Sequence, residues 1–174
     1  MIREHEIPSS YITKQDEFTS NTIDTLNDLI EICQDGNEGF REAAEGCDSS
    51  ELKSLFTKYS NERAAYASDL QDLVRGLGGT PEHDGSLTAA LHRGWMDIKT
   101  AIAGNDDAAI LNECERGEDS AKKAYKEALE KELPDYVRTA VQSQYEGVLG
   151  THDHIKSLRD TFNKEKASTA KPGL

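Results

Sequence analysis

Apolar residues recur every three or four positions along most of this chain. That is the spacing of a helix with one buried face, and it breaks only at clusters of Gly, Pro, Ser and Asp. The first stripe, Leu26, Leu29, Ile30, Cys33, Phe40 and Ala44, predicts helix A over 22–45, capped by Asn21 or Thr22. Gly46-Cys47-Asp48-Ser49-Ser50 turns the chain. Leu52, Phe56, Tyr59, Arg63, Tyr66, Leu70 and Leu73 then predict helix B over 50–75, antiparallel to A because the loop is short. Gly76, Gly78, Gly79 and Pro81 end it. Ser86 caps a shorter helix over 86–103, through Leu87, Leu91, Trp95, Ile98 and Ile102, which reads as part of a crossover. Asn105 caps helix C over 105–131, with Ile110, Cys114, Gly117, Ala121, Tyr125 and Leu129 on one face, and Pro134 opens helix D over 134–162. Residues 1–20, polar and carrying Pro8, read as a flexible arm, and 163–174 as a disordered tail. The prediction is an all-α four-helix bundle of two antiparallel hairpins over 21–162, with an extra short helix in the B–C crossover.

One stretch occurs in both halves. Placing Cys33 on Cys114 puts Ile30 on Leu111, Gly36 on Gly117, Asn37 on Glu118 and Glu38 on Asp119. The paired Cys and Gly favour a duplicated hairpin over shared helix periodicity alone. Gly36 and Gly39 each weaken a helix by about 1 kcal/mol relative to Ala, so a neighbour is expected to come close there. Depth can be counted from the loops: Asn37 stands about 11 residues, or roughly 16 Å, before the A–B turn, and Glu62 a similar distance after it. Glu118 and Glu146 bracket the C–D turn in the same way. Four polar residues are thereby expected at one depth, where a carboxylate-bridged metal pair would be built.

Composition narrows the function classes. Lys+Arg 20 against Asp+Glu 33 gives a net charge of -13, which repels nucleic acid and anionic membranes. No apolar run suits a membrane span or a signal peptide, so a cytoplasmic location is the expectation. Cys33, Cys47 and Cys114 are odd in number and lie in or beside helices, which fits reduced thiols, and there is no zinc-type Cys/His spacing. A two-fold relation between the halves would bring Cys33 toward Cys114, although the plainer reading of each is a small core residue. Gly76-Leu77-Gly78-Gly79 precedes no strand and is a helix stop, not a phosphate loop.

Asp35-Gly36-Asn37-Glu38-Gly39-Phe40, Glu62-Arg63, Leu91-His92-Arg93-Gly94-Trp95, Glu115-Arg116-Gly117-Glu118-Asp119 and His152-Asp153-His154-Ile155-Lys156 carry a resemblance to the ferritin-like superfamily over about residues 21–160. More closely, the chain resembles a bacterial family of ferritin-like four-helix bundles classed as a domain of unknown function. The superfamily's di-iron members use one Glu on helix A, Glu-x-x-His on B, one Glu on C and Glu-x-x-His on D. Carried over, the resemblance puts Asn37 at the first ligand, Glu62 with Ala65 on B, Glu118 on C with Tyr125 seven residues on, and Glu146 with Leu149 on D. Three of the six ligands, including both imidazoles, are missing.

A di-iron oxidase is therefore disfavoured. An altered metal set of Glu62, Glu118, Glu146 and His152 is the alternative, although His152 is expected about 9 Å along the axis beyond Glu146, too far to share a metal with Glu118 unless Gly147 and Gly150 kink the helix. Glu118, acidic on an otherwise apolar face, has a plainer role available as the partner of Arg63 or a Tyr. Glu62 and Glu146 flank their stripes, as solvated residues do. His152 and His154 point apart on a helix, so at least one is on the surface; His92 is expected to pack beside Trp95, and His83 to lie in a loop. The sequence thus points to a non-catalytic structural or interaction module, stress-related by superfamily association, with a degenerate metal centre. No cofactor is expected; if one binds, it is a transition metal, namely iron, manganese, copper or zinc. The expected partner is a second copy, as a dimer, or another protein, with neither nucleic acid nor membrane.

Overall fold

The helical stripes become helices, and two of them outrun their predicted ends. The computed structural model describes residues 9–82, 95 and 97–170. Among these the elements are α1 (Ser9–Gly46), α2 (Ser50–Gly76), α3 (Ile98–Ala103), α4 (Asp107–Glu130) and α5 (Asp135–Thr169). There is no strand among the described residues. No helix among them is long and apolar enough to cross a membrane.

α1 begins at Ser9 instead of Thr22. The expected arm contains no helix breaker after Pro8, and just beyond it hydroxyl side chains are satisfied by bonding back to the helix. Thr22 donates to the Phe18 carbonyl at 2.9 Å and Thr25 to that of Asn21 at 2.8 Å. α5 likewise runs to Thr169 through a segment expected to be disordered, and Lys166 ties its end to Asp106, the N-cap of α4, at 2.5 Å. Ser49 caps α2, accepting from Leu52 N. Asp106, not Asn105, caps α4, and Asn105 takes φ 50 in the turn before it. The expected start of the crossover helix at Ser86, with His83 and the packing of His92 on Trp95, lies outside the described residues.

α1 packs along α2, α4 along α5, and α1 and α4 join the two hairpins, an arrangement matching a ferritin-like helical bundle. The interior holds two apolar clusters. One, toward the α1–α2 turn, gathers Phe40, Phe56, Tyr59, Trp95, Ile110, Cys114 and Ile155. The other, toward the α4–α5 connection, gathers Leu26, Leu29, Cys33, Leu70, Tyr125, Val141 and Val148.

The repeated glycines make room for bulky side chains. A Cβ on Gly36 would stand 3.1 Å from Arg63 Cγ, whereas one on Gly39 or Gly117 would collide with the Trp95 indole, which is wedged between α1 and α4. The close approach expected at Gly36 and Gly39 is present. The paired cysteines, though both buried, fall in different clusters.

Candidate functional site: a polar layer between two apolar clusters

Between the clusters every long helix turns polar for about one turn. α1 contributes Gly36 and Asn37, between Cys33 and Phe40. α2 contributes Arg63, between Tyr59 and Ala67; α4 Glu118, between Cys114 and Ala121; and α5 Thr151 and His152, between Val148 and Ile155.

Arg63 and Glu118 are the centre of this layer, each side chain 1 % exposed. The arginine stem lies on bare Gly36. Its guanidinium meets the carboxylate with two prongs, Nη2 to Oε2 at 2.5 Å and Nε to Oε1 at 3.3 Å. Nη1 reaches Glu62 Oε1 at 3.0 Å, the Thr151 hydroxyl, which donates to the Gly147 carbonyl at 3.1 Å, stands 3.4 Å from the same oxygen, and the guanidinium carbon stands 5.3 Å from the centre of the Tyr66 ring. Burial opposes both charges. It works against the Arg63 cation, yet the adjacent Glu118 and Glu62 hold the arginine's pKa above its ordinary value. Burial likewise pushes the Glu118 carboxyl up, against the pull of Arg63. The charged pair is the state that fits the geometry, because a guanidinium does not give up its proton and its fork matches an ionised carboxylate.

Other polar groups of the layer and its flanks have protein partners of their own, whereas Glu113 Oε2, outside it, is buried without one. Asn37, which the resemblance puts at the first ligand position, donates to the Ser60 carbonyl at 2.9 Å and its hydroxyl at 3.0 Å, while Ser60 donates back to the Asn37 carbonyl at 2.8 Å. Tyr125 donates to Gln144 Oε1 at 2.7 Å, which leaves the Cys33 thiol, 3.0 Å from the phenol oxygen, as donor to it. Gln144 Nε2 donates onward to the Tyr66 carbonyl at 3.3 Å. Burial pushes the Cys33 thiol up to about 11, with Tyr125 and Arg63 opposing. These are closed, satisfied networks of a structural kind.

Of the four residues expected to form a metal set, the structure brings Glu62 and Glu118 together, with Arg63 between them. Glu146 is exposed and takes Gln142 Nε2 at 3.2 Å. His152 is buried, while His154 is exposed and accepts or donates at the Tyr59 hydroxyl, 2.6 Å away.

On α2 the inward residue is Arg63, as its place in the apolar stripe predicts, with Glu62 at the flank and Ala65 facing solvent, so the Glu62/Ala65 pair that the resemblance implies does not read across the interior. On α5 His152 reaches the level of α4's layer and Glu146 does not, within one uninterrupted helix that runs through Gly147 and Gly150. The cause is the extended Lys131–Pro134 connection. Arg138 clamps it by donating to the Leu129 and Lys131 carbonyls at 2.7 Å, so Arg138, not Pro134, stands level with the end of α4.

At the edge of the layer His152 meets two carboxylates that sequence reasoning did not single out as ligands. Its Nε2 lies 2.9 Å from Asp119 Oδ1, and Glu115 is one turn back on the same face of α4. Ligand atoms of Glu115, Asp119 and His152 all lie within 4.8 Å of one another, a carboxylate/histidine cluster able to coordinate a transition metal ion. The available signal was the i, i+4 pair of acids beside Glu118, opposite a histidine already suspected.

A family model described as "Domain of unknown function (DUF2383)" matches residues 21–131, which cover α1 from the first buried turn to the end of α4. None of the curated proteins matches the chain.

Proposed function

The chain belongs to the DUF2383 family, and from that premise we propose that it is a non-catalytic helical module whose interior metal centre has been replaced by an internal ion pair. The observation that carries this is the Arg63 guanidinium between Glu62 and Glu118. A dinuclear site needs anionic oxygens converging on empty space for cations. Here one of the protein's own cations fills that space, Asn37 is committed to Ser60, and no imidazole projects to the Arg63–Glu118 contact from α2. An oxidase working through the core would have to release Glu118 from Arg63 and leave a buried guanidinium behind, which is strongly unfavourable.

The test is iron oxidation by the full chain in air. No oxidation above the buffer rate, unchanged by Glu118→Gln, is expected. Turnover above that rate which disappears in Glu118→Gln would overturn the reading.

A further inference from the structure

His152 is 5 % exposed, yet both of its ring nitrogens face carboxylates. Nδ1 lies 3.0 Å from Asp153 Oδ1 and Nε2 2.9 Å from Asp119 Oδ1. A neutral imidazole has one N–H to give. With that hydrogen donated to Asp153, Nε2 presents its lone pair to Asp119 and Glu115, which is how a carboxylate behind a histidine prepares it as a metal ligand.

We propose that Glu115, Asp119 and His152 bind a divalent transition metal ion of the zinc type, with Asp153 orienting the imidazole and Arg159 acting as the resident cation that the metal displaces. Arg159 Nη1 now contacts the Glu115 carboxylate, while its Nε and Nη2 hold Asp160 Oδ1 at 3.1 and 2.7 Å. Arg159 therefore keeps a partner when it lets Glu115 go. The exchange is favourable in charge, since one divalent ion balances two carboxylates where a single guanidinium balances one.

The geometry needs little change. Ligands about 2.0–2.1 Å from a tetrahedral ion stand about 3.3 Å apart. His152 and Asp119 are already nearer than that, and the widest separation in the set, within 4.8 Å, closes by a movement of roughly 1.5 Å, within reach of the flexible Glu115 side chain. One nitrogen and two oxygens suit zinc, cobalt or manganese more than a soft ion. Three protein ligands leave a position for water, reached from the side where Asp119 is 58 % exposed. The bound ion would clamp α4 to α5 outside the Arg63–Glu118 pair, so this site goes beyond the proposed function and stands independently of it.

The test is calorimetric titration of Zn2+ into the chelator-treated full chain, with Co2+ absorption as a second readout. One ion per chain is expected. Binding disappears in His152→Ala and weakens at least about tenfold in Asp119→Ala, whose exposed side chain can be removed without threatening the fold. Asp153→Ala weakens it by about tenfold, as losing a partner behind a ligand does, and Arg159→Gln tightens it roughly two- to five-fold, the range of a partly exposed ion pair released. No binding, or binding that survives Asp119→Ala undiminished, overturns the proposal. Binding that survives Asp119→Ala but is lost in Glu118→Gln overturns it too, and places the ion in the interior, against the proposed function.

Discussion

Replacing Arg63 by Met leaves the Glu118 carboxyl buried without its partner, and the resulting loss of stability can be worked from its position. At 0 % exposure and with no guanidinium, the group cannot remain ionised, so it takes up a proton on folding. Neutralising a carboxyl whose ordinary pKa is 4.5 at pH 7 costs about 3 kcal/mol, at 1.36 kcal/mol for each pH unit. Arg63→Met should therefore lose about that much at pH 7. The sign of the pH dependence follows. In the variant the folded pKa of Glu118 is raised above the unfolded value, so its contribution is intact below pH 4.5 and is lost as pH rises toward the folded pKa. Its penalty relative to the parent chain should shrink as the pH falls from 7 toward 4.5. In the opposite single variant, Glu118→Gln, Arg63 cannot neutralise itself but keeps Glu62 at 3.0 Å, and about 3 kcal/mol is expected with little pH dependence. Arg63→Met/Glu118→Leu should recover most of both losses, because neither charge is left buried. Urea unfolding followed by circular dichroism across this pH range measures all three. A loss below about 1 kcal/mol in Arg63→Met, or a penalty that does not change with pH, would refute the reasoning.

Two further outcomes follow from named contacts. Gly117→Ala drives a methyl group into the indole of Trp95, the chain's one tryptophan, and should destabilise by about 1–3 kcal/mol with a red-shifted emission; Gly150→Ala, which meets nothing within 4 Å, should be neutral or stabilising, and an unchanged spectrum in Gly117→Ala would contradict the wedge. The Cys33 thiol is held up to about 11 from a usual 9.0 by burial, so stability should be full below pH 9 and fall as pH rises through about 11, by at most about 3 kcal/mol; the urea midpoint of Cys33→Ala should fall less over that window.

The helices and their pairing were legible because the apolar period and the Gly, Ser and Pro punctuation are local signals. The Arg63–Glu118 pair was legible as the plainer account of an acid on an apolar face, once a cation stood on the facing stripe. Depth was not. Counting residues from a turn assumes that both helices start level, and the extended Lys131–Pro134 segment, clamped by Arg138, shifts α5 outward by more than a turn. That shift takes Glu146 out of the layer and puts His152 into it. The stripe itself placed Arg63 inward and Glu62 at its flank; the carry-over of Glu62 as a ligand came from the resemblance alone, and the helical period did not support it. The helical character of residues 9–20 was hidden by composition: Ser and Thr read as loop formers, but their hydroxyls can be satisfied within a helix, as at Thr22 and Thr25.

The polar layer gives the Cys-x-x-Gly stretch that occurs in both halves a different use in each. In the first half the bare face of Gly36 receives the Arg63 stem, which carries a charge to mid-height; in the second the bare face of Gly117 receives Trp95, which carries apolar bulk. One cavity-making device therefore serves a charged insert and an apolar one, and the clusters on either side of the layer follow from that division. A buried pair of this kind is weak support for stability, since apolar substitutes pack as well, but it is demanding about position. Two prongs to Glu118 on α4 and a bare glycine of α1 beneath are both satisfied only when α1, α2 and α4 stand at one relative height. We therefore hypothesise that the pair sets the register of the two hairpins. Arg63→Met/Glu118→Leu, though recovering the stability, should lose the single set of sharp amide resonances of the parent chain, and a spectrum as well dispersed as the parent's would show that register is held elsewhere.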